Sequence, residues 1–316
     1  MMRPPEPLGL IEAPSNLGLQ PPRPGLEPGV RRLPEALGHA GLRRRLRARW
    51  QARVEPPAYS DAVDPETGIR NAPAIARYSA ELAESVGRAL DRGVFPVVLG
   101  GDCSILLGSL LALRRRGRYG LFFVDGHADF ETPETSPSHG AAGMDLALAV
   151  GRGPSTLADL GGLRPLVREE DAVILGYRDQ AGLPEEMGAW RVERLRAAGV
   201  SRVVRREVAR IASHAIRGYW IHVDADVLDP SVMPAVDTPE PGGLTFPELT
   251  RLLRELLASD LAAGVQICIY DPDLDPDGRC ARGLVDAVAA AFEPAAADGA
   301  SAAGPSAFPI GRGVAR

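Results

Sequence analysis

Short apolar runs alternate with longer amphipathic stretches along most of this 316-residue chain. The runs at 94–99, 120–124, 172–175, 220–223 and 265–270 are rich in β-branched and aromatic residues. They predict buried strands. Apolar positions recur at helical spacing over 74–91, 104–116, 184–198 and 247–259 and predict helices there. The last has a start signal, because Thr245 can cap it and Glu248 follows three residues later. Strands separated by helices predict an α/β fold with a mostly parallel sheet covered on both faces. No internal repeat or linker divides the chain. Residues 1–293 therefore read as one domain, and 294–316, rich in Ala, Gly, Ser and Pro, as a flexible tail. Residues 19–36, rich in Pro and Gly, read as a loop before the first helix.

Ligands of such sheets sit beyond the carboxyl ends of the strands, and the charged motifs of this chain fall there. Asp125-Gly126-His127-Ala128-Asp129 follows one strand and Asp224-Ala225-Asp226 another. Residues at i, i+2 and i+4 of an extended chain project to one side. Four carboxylates and an imidazole gathered in this way repel one another unless a cation neutralises them. Two divalent ions sharing bridging carboxylates answer that need, and such pairs activate water for hydrolysis. Oxygen and imidazole donors favour Mn²⁺, with Fe²⁺, Ni²⁺ or Zn²⁺ as alternatives. Gly100-Gly101-Asp102-Cys103-Ser104 follows a third strand. It reads as a tight turn with Asp102 or Ser104 capping the next helix, and it places Cys103 at the same sheet edge.

Composition narrows the partners. A net charge of −5 argues against nucleic acid or an anionic membrane. Arg43-Arg44-Arg45 and Arg114-Arg115-Arg116 read as solvated helix faces. No apolar run reaches the length of a membrane span, and the N-terminus lacks the apolar stretch of a secretory signal. Three cysteines without a framework spacing suit a reducing cytoplasm.

The order and spacing of these motifs, with Ala13-Pro14-Ser15-Asn16-Leu17-Gly18, Asp229-Pro230 and Pro241-Gly242-Gly243-Leu244-Thr245, resemble the ureohydrolase superfamily of arginases, agmatinases and formiminoglutamases over residues 10–292. The resemblance implies an arginase-like three-layer α/β/α fold, two Mn²⁺ ions, a trimer or hexamer, and hydrolysis of a guanidino or related C–N bond in a small-molecule substrate. It implies that Cys103, Asp125, Asp129 and Asp224 hold one ion and that Asp125, His127, Asp224 and Asp226 hold the other. Asp129 would orient the attacking hydroxide, and Thr245 would stand near the guanidinium.

The chain departs from that pattern in four places. Cys103 stands where most of the superfamily has histidine, as it does in a branch resembling the Nω-hydroxyarginine hydrolases, which shares the flavour of Asp129-Phe130-Glu131-Thr132-Pro133-Glu134-Thr135. The acid/base histidine has no counterpart in register; His139, three residues early, is the candidate. Ile269 occupies the place of the guanidinium-binding glutamate, leaving Asp271, Asp273, Glu131 or Glu134 for that role. After Gly176-Tyr177-Arg178-Asp179, Gln180-Ala181 replace the acids that hold an α-amino group, and Glu185 and Glu186 lie in the expected next helix. These departures leave room for two other readings: a non-catalytic relative that binds in its pocket, and a hydrolase of a formimino or amide bond.

Overall fold

The computed structural model describes residues 7–180 and 182–293. The tail expected over 294–316 lies outside the described residues. The strands are β1 (Leu8–Ala13), β2 (Trp50–Arg53), β3 (Phe95–Gly100), β4 (Gly120–Val124), β5 (Ala172–Leu175), β6 (Gly188–Trp190), β7 (Tyr219–Asp224) and β8 (Ala262–Cys268). The helices are α1 (Leu33–His39), α2 (Leu42–Leu46), α3 (Ala72–Asp91), α4 (Ile105–Arg114), α5 (Asp145–Ala149), α6 (Ser155–Ala158), α7 (Val192–Ala198), α8 (Val200–Ala212), α9 (Phe246–Leu257) and α10 (Arg279–Phe292). The eight strands form one sheet in the order β2-β1-β3-β8-β7-β4-β5-β6. Every pairing between named strands is parallel.

Alternation along the buried strands feeds two cores. Phe122, Val124, Ile221, Val223 and Ile267 face the layer of α8, α9 and α10. Leu121, Phe123, Trp220 and Val98 face α3 and α4. This is the three-layer arrangement that the apolar pattern predicts. The sequence expectation fails at 184–198, which is not one helix. Residues 188–190 are an edge strand and only Val192–Ala198 are helical, so Glu185 and Glu186 sit in the turn before β6. The Arg114–Arg116 cluster lies at the surface, as expected, but its cations are partnered. Arg114 Nε donates to the Pro165 carbonyl, and Arg115 and Arg116 pair with Glu84 and Asp91. No helix among the described residues is long and apolar enough to cross a membrane.

The four central strands β3, β8, β7 and β4 set the site. After β3 the chain crosses over two positions to reach β4, and β7 and β8 later fill the gap. All four carboxyl ends therefore open onto one place.

Candidate metal centre

The turn after β3 is built from close backbone contacts. A side chain on Gly101 would meet the Ser15 carbonyl oxygen at 1.7 Å, so only glycine lets the 13–18 segment lie against it. Buried Asp102 fastens that contact: Oδ2 accepts from Ser15 Oγ at 2.5 Å and Oδ1 accepts from the Ser104 backbone N–H at 2.8 Å. The aspartate thus organises the turn, and the next residue, Cys103, lines the pocket.

At the ends of β4 and β7 each aspartate has one oxygen held by backbone and one turned to the cluster. Asp125 Oδ1 accepts from His127 N at 2.7 Å, Asp224 Oδ1 from Asp226 N at 2.7 Å, and Asp226 Oδ1 from Gly126 N at 3.0 Å. On the other side, Asp226 Oδ2 meets His127 Nδ1 at 2.9 Å and Asp224 Oδ2 meets Cys103 Sγ at 2.8 Å. Among the described residues, Asp125 Oδ2 is buried without a hydrogen-bond partner. Donor atoms of Cys103, Asp125 and Asp129 lie within 4.8 Å of one another, as do those of Asp125, His127 and Asp226. A third set, Cys103, His222, Asp224 and Cys268, shares Cys103 with the first.

The electrostatics fit a cation. Burial, reinforced by neighbouring acids, pushes the carboxyls of Asp125, Asp129 and Asp224 well above the usual range. Burial, the Cys268 sulfur and the Asp224 charge push the Cys103 thiol up as well. Burial also acts against Asp226, but its bond and ion pair with His127 prevail and hold it low. Burial likewise opposes a charged His127, yet Asp226 carries the ring up to about 9. The orphaned Asp125 oxygen and the crowded acids are the pattern of a site shaped for divalent ions. The donors present fit two of them.

The pocket over this cluster has a volume of about 630 Å³ and takes in Cys103, His127, Asp129, Glu131, Asp224 and Asp226 among its walls. Three sequence expectations need correction. His139 does not face the pocket: its backbone adopts φ 51° and Nδ1 lies 3.0 Å from the Gly68 carbonyl oxygen. The ring is engaged with that carbonyl and is not among the pocket walls, so it is not placed as acid/base. Thr245 does not line the pocket either. Its hydroxyl caps α9, accepting from Glu248 N and donating to Glu248 Oε2. Asp271 is spent on structure, with Oδ1 accepting from Asp273 N at 2.9 Å beside Gly29. Asp273 pairs with Arg32, and Glu134 is exposed outside the pocket wall.

The wall contains acids that motif reading passed over. Asp179 lines it, with Oδ2 accepting from Ala128 N at 3.2 Å and Oδ1 unpartnered. Asp237 lines it too, raised to about 6 by burial and the Asp226 charge. Asp179 sits in a Gly-Tyr-Arg-Asp segment that the sequence does show; Asp237 carries no such signal. Ile269 also lines the pocket, with φ 72°, a conformation that β-branched residues rarely adopt.

Several known proteins are similar to this chain. The family model described as the arginase family matches residues 7–292. An arginase from Bacillus caldovelox is 30% identical over 301 residues, covering 91% of this chain and 98% of that protein. An arginase from Brevibacillus brevis is 32% identical over 219 residues, covering 67% and 73%. The native structure of the Bacillus caldovelox arginase superposes with a TM-score of 0.82 at 28% identity, covering 92% of this chain and 99% of the other.

Proposed function

The chain belongs to the arginase family and is a metal-dependent ureohydrolase; on that premise we propose that it hydrolyses a guanidino C–N bond of arginine or a modified arginine, releasing urea or a urea-like fragment and an amine. The observation that carries this is the convergence of Cys103, Asp125, His127, Asp129, Asp224 and Asp226 on one acidic pocket. Cys103, Asp125, Asp129 and Asp224 would hold one Mn²⁺, and Asp125, His127, Asp224 and Asp226 a second. When bound, such ions lower the pKa of water and stabilise negative charge on the reacting carbon's substituents.

The protein's own groups divide the remaining work. Asp129 stands with Cys103 and Asp125 and presents a carboxylate to orient the attacking oxygen. Glu131, Asp179 and Asp237 give the wall further carboxylates for a cationic substrate. With His139 outside the pocket wall and Ile269 in the expected glutamate's place, recognition falls on these three. That favours a modified guanidino head over one needing a bidentate carboxylate at position 269. A cytosolic trimer or hexamer completes the proposal.

The test joins metal quantification to a panel of arginine, agmatine, guanidinobutyrate, hydroxyarginine and formiminoglutamate. Urea or hydroxyurea from an arginine-type substrate, with two ions per chain, is the expected result. Formamide or ammonia from the other substrates would favour a different C–N bond. Fewer than about one ion per chain, with no rescue by Mn²⁺, would favour a binding protein.

A further inference from the structure

His222 is fully buried in β7, and neither expected ligand set uses it. Its ring lies flat on Phe123, with centroids 4.4 Å apart and planes 4° from parallel. On one side, Nδ1 is 2.8 Å from Gln266 Nε2. On the far side of that amide, Gln266 Oε1 is 2.9 Å from Trp220 Nε1. An indole N–H donates and never accepts, so it fixes the amide: Oε1 faces Trp220 and the NH₂ faces His222. The amide therefore donates to Nδ1. A neutral imidazole whose Nδ1 accepts carries its proton on Nε2. That nitrogen points into the metal cluster, 3.6 Å from Cys103 Sγ, 3.7 Å from Cys268 Sγ and 3.6 Å from the unpartnered Asp125 Oδ2.

We propose that Trp220, Gln266 and His222 form a positioning relay that presents one fixed, neutral N–H to the Cys103 sulfur and to Asp125. His222 is then a donor beside the centre and not a ligand, although a ring nitrogen lies within 4.8 Å of donor atoms of Cys103, Asp224 and Cys268. The chemistry explains how a cysteine is accommodated at position 103. A thiolate there adds negative charge to a site already crowded with carboxylates, and a desolvated thiolate is stabilised by an N–H donor. Asp125 gains the same dipole on the oxygen that lacks a partner. The relay holds both groups at the geometry the ions need, as outer-shell donors do elsewhere.

This inference rests on reading the cluster as a metal centre, and the experiment keeps the two separable. Nitrogen-15 shifts of the His222 ring are measured in the full chain loaded with ¹¹³Cd²⁺. The expected spectrum has an unprotonated Nδ1, a protonated Nε2 and no cadmium splitting of either. A protonated Nδ1, or an Nε2 split by ¹¹³Cd, would overturn the relay and make His222 a ligand of a soft site. Failure to take up Cd²⁺ or Mn²⁺ would sink the metal reading, while the ring tautomer in the same sample still decides the relay. As a second measurement, His222→Leu should weaken Mn²⁺ binding by about 10–100-fold. His222→Gln, which keeps an N–H near the Nε2 position, should recover most of that loss. Equal losses in the two variants, or none in either, would count against the relay.

Discussion

Two groups of acids in this protein experience opposite fates. At the start of α9, Glu248 accepts from Arg196 Nε and Nη2 and from both donors of Thr245, and Arg196 also donates to the carbonyls of Gly242 and Gly243. Its carboxyl is held down at about 2, chiefly by the Arg196 hydrogen bonds. At the carboxyl ends of β4 and β7, Asp125, Asp129 and Asp224 are pushed up by burial and by one another. The same functional group is stabilised in one place and frustrated in the other. A full set of protein donors marks an acid that serves the fold. A buried acid crowded by other acids, as Asp125 is with its Oδ2 left without a protein donor, marks one that serves a guest.

The sharpest way to break this contrast is Asp125→Asn. The metal-loaded variant should lose both ions by elemental analysis, because Asp125 belongs to both expected ligand sets. The loss of their several kcal/mol of barrier lowering is roughly a thousandfold in rate. In chelator-treated protein the same change should raise the thermal midpoint, since it removes one uncompensated buried charge. A lowered midpoint would show that the cluster is not frustrated without its ions. Leu253→Ala, a fully packed α9 position, should cost about 2–5 kcal/mol in urea unfolding. Its metal content should stay the same. Thr245→Ala should cost about 1 kcal/mol through the lost cap and leave KM unchanged. A tenfold rise in KM would put the hydroxyl back on the substrate.

The smallest effect is a pH slope. Glu248 is depressed in the folded state, to about 2 from 4.5, so its contribution is present above pH 4.5 and fades as pH falls toward 2. Glu248→Gln has no such titration. The stability gap between wild type and variant should therefore narrow across that acid window in denaturant unfolding. A constant gap would show that Arg196 holds the carboxylate no more tightly than water does.

The cluster was legible in the sequence because it is made by the simplest geometry available. Asp125, His127 and Asp129 follow a buried strand at alternate positions, and so do Asp224 and Asp226. What lay between strands was less legible. His139 has the right residue type near the right place, but it comes three residues early, its backbone adopts φ 51° and its ring meets Gly68. Thr245 had two readings, cap and substrate contact, and one hydroxyl serves the cap. The segment 188–190 was hidden because three residues are too few for an alternation to show, and the helical α7 follows directly. Asp237 and the Trp220–Gln266–His222 chain depend on which side chains meet across strands, and one-dimensional spacing carries no record of that.

The sheet order has a consequence for the timing of synthesis. β8, near the end of the chain, is the strand that lies between β3 and β7. A nascent chain that has emerged only as far as α9 possesses Cys103, Asp125 and Asp224 but lacks the strand that seats the first beside the last. Contacts this distant in sequence form late, after the entropy of closing their loops has been met. Ion loading should thus await release of the last sixth or so of the polypeptide. Ribosome-stalled fragments ending before Ala262 would be metal-free, and the acids would be kept from capturing a wrong ion while the chain is still being made.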